Sequence, residues 1–96
     1  MPGKSSVNVE YAQVIALKIL GFLAEDEDRF EVFLKTTGCS PGALAGLAGD
    51  LHFLAGVCDY LLANQPLLLV FAEMEEIPPE TIMRARRLLP GSTLDL

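Results

Sequence analysis

Side chains that build metal and nucleophilic centres are scarce in this chain of 96 residues. It has one histidine, His52, and two cysteines, Cys39 and Cys58, whose spacing is not that of a C-x-x-C motif. Transition-metal sites usually draw on several histidine or cysteine ligands, so no metal site is predicted. We expect both cysteines to be reduced thiols, with Cys58 in the core because it lies in an apolar run.

Long apolar runs are also missing. No stretch of about 18 uninterrupted apolar residues occurs, so no membrane-spanning helix is predicted. The best candidate, residues 14–24, carries Lys18 in its middle, where a signal peptide would need an apolar centre. We therefore expect a cytoplasmic protein without a membrane partner.

Basic residues are few. The chain has 7 lysines and arginines and 13 acidic residues, which gives a net charge of −6. An acidic surface repels phosphate backbones, which disfavours nucleic acid as a partner. Residues 25–31 form an acidic patch and residues 84–87 a basic one, and the sequence leaves open whether they pair within one chain or between chains. The acidic patch lacks the glycine and the ligand spacing of a calcium loop.

Apolar residues make up 51% of the chain and follow helical spacing, with no alternating strand pattern of useful length. Six helices are predicted, over residues 8–24, 26–38, 40–49, 50–63, 64–76 and 78–90. Their ends are marked by Asp26, Asp50 and Asn64 as N-caps, by Gly38 as a C-cap, and by Pro41, Pro66 and Pro79 in first turns. The first and fourth helices are apolar over most of their circumference, which places them at the centre of the fold.

A shift of 38 residues aligns the two halves of the chain. It places Leu23 on Leu61, residues 32–33 on residues 70–71, and Pro41 on Pro79. Recurrence of this kind predicts an all-α, compact six-helix bundle made of two pseudo-repeated three-helix units. Residues 8–91 form the single predicted domain, and residues 1–7 and 92–96, which lack periodicity, are predicted to be flexible tails.

The two central helices each carry a narrow stripe of polar or small residues. Lys18 and Gly21 lie on the first stripe, and His52, Gly56 and Asp59 on the second. Small residues let helices approach closely, so these five residues are the candidate contact between the halves or with a partner. An ordinary exposed stripe explains them equally well.

Catalysis needs reactive side chains that converge in one pocket, and His52 with Asp59 is the only pair that suggests such an arrangement. A solvated histidine near a helix N-terminus is a commoner situation. No glycine-rich phosphate loop follows a strand. We therefore predict a non-enzyme, with no catalytic residue and no cofactor, and we leave the binding of a small molecule open.

A helix-turn-helix is the main alternative, because the fifth and sixth helices have the apolar spacing of that motif. The helix over residues 79–89 would read DNA with Arg84 and Arg87. Three preceding glutamates, Glu73, Glu75 and Glu76, would face phosphate, which weakens this interpretation.

Several dispersed segments resemble a known family. They include Gly21-Phe22-Leu23-Ala24, Phe33-Leu34, Asp59-Tyr60-Leu61-Leu62 and Ala85-Arg86-Arg87. Over residues 11–91 the chain resembles the short alphaproteobacterial proteins catalogued as domain of unknown function 3572. The resemblance implies a bacterial, cytoplasmic, helical protein and brings no activity, cofactor or catalytic residue. Ala45, Gly46 and Ala48 stand where polar residues are expected after Pro41, so the third helix is predicted to be weak.

The surplus of apolar residues decides the functional expectation. A domain this small cannot bury all of them, and exposed apolar patches usually mark contacts. The sequence therefore favours a small interaction or adaptor module that binds a protein partner or forms a homodimer. A helix-turn-helix-like DNA-associated regulator is the alternative, and neither the partner nor the pathway follows from the sequence.

Overall fold

A computed structural model describes residues 8–91, which fold into helices without any strand. The helices are α1 (Val9–Ala24), α2 (Glu27–Thr37), a 3₁₀ turn (Pro41–Ala43), α3 (Leu44–Leu47), α4 (Leu51–Leu62), α5 (Gln65–Glu75) and α6 (Pro79–Arg87). The predicted all-α six-helix bundle is confirmed. The tails predicted over residues 1–7 and 92–96 lie outside the described residues.

Polar side chains fix where four of the helices begin. The N-caps are Asn8, Asp26, Asp50 and Asn64, and each side chain accepts a backbone N–H of the following turn at 2.8–3.4 Å. Those amides have no carbonyl partner inside their own helix, so a capping oxygen satisfies them. The three caps predicted from sequence are therefore confirmed.

The core lies between α1 and α4, the two helices predicted to be central. α1 packs against α4, α6 and α2, and α4 packs against α1, α6 and α5. The largest fully buried side chains come from five helices and the turn after α6 and include Ile15, Ile19, Phe33, Leu54, Leu61, Phe71, Ile82 and Leu89. Cys58 is buried among them, as predicted.

α2 is held by one aromatic residue. Phe33 is the only buried residue of α2. Its ring lies 6.4 Å from that of Phe53 and 5.1 Å from that of Tyr60, both on α4 and both edge-on, and it stacks on Phe30 at 6.2 Å. These edge-to-face arrangements are the favourable ones for aromatic pairs, so Phe33 joins α2 to the centre of the fold.

The third helix is short, in agreement with its weak sequence. α3 has four residues and buries none of them. α6, its counterpart under the 38-residue shift, has nine residues, buries Ile82 and Ala85, and packs on both central helices. The two proposed units therefore differ most in their third helices, and the internal repeat stays a prediction.

No single helix among residues 8–91 is long and apolar enough to cross a membrane. The helical segments Pro41–Leu47 and Leu51–Leu62 together meet the length and composition criteria for a membrane span, but the chain bends by 118° between them.

Two helices end in a left-handed residue at equivalent positions of the 38-residue shift. Gly38 follows α2 with a φ of 73°, and Glu76 follows α5 with a φ of 55°. Glycine adopts this conformation freely, whereas a residue with a Cβ is strained in it. Glu76 is the only non-glycine residue with a positive φ in the described part of the chain.

We expect Glu76→Gly to raise the free energy of unfolding by about 0.5–1 kcal/mol, because it relieves this strain. The matched control, Gly38→Ala, introduces the same strain and should lower the free energy by about 1 kcal/mol. Urea unfolding followed by circular dichroism measures both. A Glu76→Gly variant less stable than the wild type would contradict this account.

Candidate interaction surface

The five residues predicted as a partner contact are all exposed. Lys18 lies on α1 and donates to Glu75 of α5, with 3.4 Å between Nζ and Oε1. Asp59 lies on α4 and accepts from Arg86 of α6. No hydrogen bond or ion pair among residues 8–91 joins any two of the five predicted residues. The five residues therefore make no direct polar contact with one another within residues 8–91, and their role as a partner contact stays a prediction.

The two glycines of the predicted stripes do not lie against another helix. A Cβ built on Gly21 or on Gly56 would meet no atom within 4 Å. The interpretation in which the two halves cross at these glycines is therefore wrong. α1 and α4 meet instead through faces rich in large residues such as Ile15, Ile19 and Leu54.

His52 and Asp59 do not form an acid–base pair. They are seven residues apart on α4, so a rise of 1.5 Å per residue separates them by about 10 Å along the helix axis. The backbone N–H of His52 donates to the Asp50 carboxylate, and its side chain is exposed near the helix start. Within residues 8–91, no three histidine, cysteine or acidic side chains group in a way that could hold a metal ion.

The buried cysteine is a poor nucleophile. Burial raises the pKa of the Cys58 thiol to about 12, and nearby Arg86 opposes this shift only in part. A thiol with so high a pKa stays protonated at neutral pH, and the thiolate is the reactive form. Cys39 is half-buried, two residues after the end of α2.

Arg86 turns inward, unlike the rest of the basic patch. Its side chain is 12% exposed, and its Nε donates to Asp59 Oδ1 at 2.6 Å. Its Nη1 donates to the carbonyl oxygens of Leu89 and Pro90, each at 3.2 Å. One guanidinium therefore ties the end of α6 to α4. The sequence analysis missed this role, although spacing from Ile82 and Leu89 puts Arg86 on their face of the helix.

The acidic and basic patches do not pair within residues 8–91, where no ion pair joins residues 25–31 to residues 84–87. Glu31 pairs with Lys35 at 3.7 Å, one turn along α2. Both side chains are mostly exposed, and such pairs contribute little to stability. Arg84 and Arg87 remain exposed on α6.

Large apolar side chains remain exposed on several helices. They are Val9, Tyr11, Val14, Leu17, Val32, Leu69, Val70, Met74, Met83 and Leu88. Three of them, Leu69, Val70 and Met74, belong to α5, where they are 52%, 42% and 58% exposed. α5 therefore leaves much of its apolar circumference uncovered.

Two contacts determine how α5 lies against α1. Phe22 contacts Phe71 edge-on with 5.4 Å between ring centroids. Lys18, one turn before Phe22 in α1, pairs with Glu75, one turn after Phe71 in α5. Since residue numbers fall along α1 while they rise along α5, the two helices are antiparallel.

The residues next to this line of contact form what we call the α1–α5 surface. It consists of Lys18 on α1 and of Val70, Met74 and the half-buried Glu75 on α5. Helical spacing puts Val70 one turn from Met74, on a face of α5 turned away from the buried Leu68. The surface thus has apolar side chains with an ion pair beside them.

Comparison with known proteins identifies a family but no activity. The family described as protein of unknown function (DUF3572) matches residues 9–92, and the chain belongs to it. No curated protein and no solved structure matches the chain. The family resemblance deduced from the sequence is thereby confirmed, and it assigns no function to the α1–α5 surface.

We expect Arg86→Met to lower the free energy of unfolding by about 1–2 kcal/mol, because it removes the hydrogen bonds to Asp59, Leu89 and Pro90. Arg87→Met is the matched control on the exposed face and should change the free energy by less than about 0.5 kcal/mol. Urea unfolding of both variants provides the comparison. Equal effects would show that the inward orientation of Arg86 adds nothing to stability.

Proposed function

We propose that this protein is a small, non-enzymatic interaction or adaptor module of the bacterial cytoplasm. Its partner is a protein, and a second copy of the chain is the first candidate. The observation that carries the proposal is the α1–α5 surface, where Val70 and Met74 remain 42% and 58% exposed. Single exposed apolar residues are normal, whereas neighbouring ones are typical of contact sites.

The chemistry of the α1–α5 surface suits a protein partner. Its apolar part is formed by Val70 and Met74, and the Lys18–Glu75 ion pair lies beside them. Protein interfaces typically have such an apolar centre with a polar, solvent-accessible rim. Methionine adds adaptability, because its unbranched side chain fits surfaces of different shapes.

The non-enzymatic part of the proposal rests on the candidate reactive groups. His52 and Asp59 are too far apart along α4 to exchange a proton directly, and catalytic acid–base pairs need hydrogen-bond distance. Cys58 is fully buried and its thiol pKa is raised. Neither arrangement favours catalysis.

A double variant, Val70→Lys with Met74→Lys, tests the proposal. Val32→Lys with Met83→Lys is the matched control, because those side chains are 54% and 44% exposed on α2 and α6. Sedimentation equilibrium should give the wild type and the control a mass above the 10.4 kDa of one chain, and the α5 variant a mass of one chain.

A second assay covers a different protein partner. Proteins captured from native lysate by the wild type and the control should be lost with the α5 variant. The proposal would be contradicted if the wild type is a monomer and if the wild type, the control and the α5 variant all capture the same proteins.

A DNA-associated regulator that uses the residue 79–89 helix is the second candidate. The left-handed turn at Glu76 joins α5 to α6, and Arg84 and Arg87 point outward from α6. Two observations disfavour DNA binding by this helix. Glu80 lies one turn before Arg84 on the same face, and the Arg86 side chain is hydrogen-bonded to Asp59. This candidate therefore ranks below the interaction module.

A gel shift with duplex DNA tests the second candidate. Binding should weaken steeply with added salt, because neutralised phosphates release counterions. It should also be lost in the double variant Arg84→Glu with Arg87→Glu, whereas Lys35→Glu, a single charge reversal at an exposed position of α2, should leave it unchanged. No shift at low salt would rule out this function.

A further inference from the structure

The connection between α2 and α4 differs in composition from the rest of the chain. We call residues 39–49 the strap; it contains the 3₁₀ turn and α3. The strap has no charged residue, although the chain as a whole carries a net charge of −6. It also holds three glycines, Gly42, Gly46 and Gly49.

The strap has little side-chain anchorage. None of its residues is buried, and its half-buried leucines, Leu44 and Leu47, are not among the residues that pack against the core cluster. α3 packs chiefly on the 3₁₀ turn, which is part of the same segment. Neither helix of the strap has a side-chain cap, in contrast to α4, which begins at Asp50.

The two ends of the strap are firmly held. At its start, the backbone N–H groups of Gly38 and Cys39 both donate to the Leu34 carbonyl, at 2.9 and 3.1 Å. At its end, the Asp50 carboxylate caps α4 through the N–H groups of His52 and Phe53. The segment between these ends could therefore detach without disturbing either neighbouring helix.

A four-residue helix is not stable by itself, since helix formation is cooperative and has a costly nucleus. Such a helix persists in a protein when it buries an apolar face, and α3 only half-buries Leu44 and Leu47. Segments with few buried apolar contacts open at free energies well below that of global unfolding. Each glycine also adds conformational freedom to the open state.

We infer that the strap opens and recloses as a local unit while α1, α2, α4, α5 and α6 stay folded. It is thus a conformational device built into the fold: an uncharged segment of the surface that changes shape without breaking the core. This inference does not depend on the proposed function, and a monomeric protein without any partner would still show it.

Hydrogen exchange measured by NMR tests the inference in the wild-type chain. The amides of Ala43 and Leu44, which donate to Ser40 and Pro41 inside the strap, should exchange at least about 100-fold faster than those of residues 57–61, with a rate that hardly depends on urea. Amides of residues 57–61 should show the strong urea dependence of global unfolding. The same strong dependence in both groups would overturn the inference.

Two glycine variants provide a matched pair. A Cβ on Gly46 of α3 or on Gly56 of α4 meets no atom within 4 Å, so both alanine substitutions are free of clashes. Alanine favours helix over glycine enough to slow strap exchange about fivefold in Gly46→Ala. Gly56→Ala should raise the Tm by about 4–8 °C and leave strap exchange as it is. A Gly56→Ala variant that slows strap exchange as much as Gly46→Ala does would show that the strap unfolds with the core.

Discussion

The packing of α1 against α4 is the contact on which the rest of the structure depends. Both helices are apolar over most of their circumference, and such helices are stable only when other elements surround them. α2, α5 and α6 provide that cover, each packing against at least one of the two. The strap does not take part in this cover, which is why the core can stay intact when the strap changes.

Helix boundaries could be predicted from the sequence because they are set locally. Asp26, Asp50 and Asn64 each accept an N–H two or three residues ahead, so the signal and its partner lie in one short window. The central position of α1 and α4 could also be predicted, since it follows from the width of their apolar faces. The short α3 was indicated by its glycines and alanines in the same way.

Contacts between distant segments could not be predicted with the same success. The partner of Arg86 is Asp59, 27 residues away, and nothing local pairs them. Gly21 and Gly56 illustrate the same limit, because a small residue suits either a close helix contact or an open surface. The outcome depends on where the neighbouring helices lie, and here both glycines face open space.

The exposed side chains of α5 are a surplus that the fold itself does not need. Residues 67–71 are five consecutive apolar residues, and a helix that packs along one side buries only those on that side. Leu68 and Phe71 face the core, so Leu69 and Val70 have to be exposed. Lysine or glutamate at residues 69, 70 and 74 would serve the helix equally well and would add solubility. Apolar residues at positions where the fold tolerates charge are the reason to look for a protein partner at the α1–α5 surface.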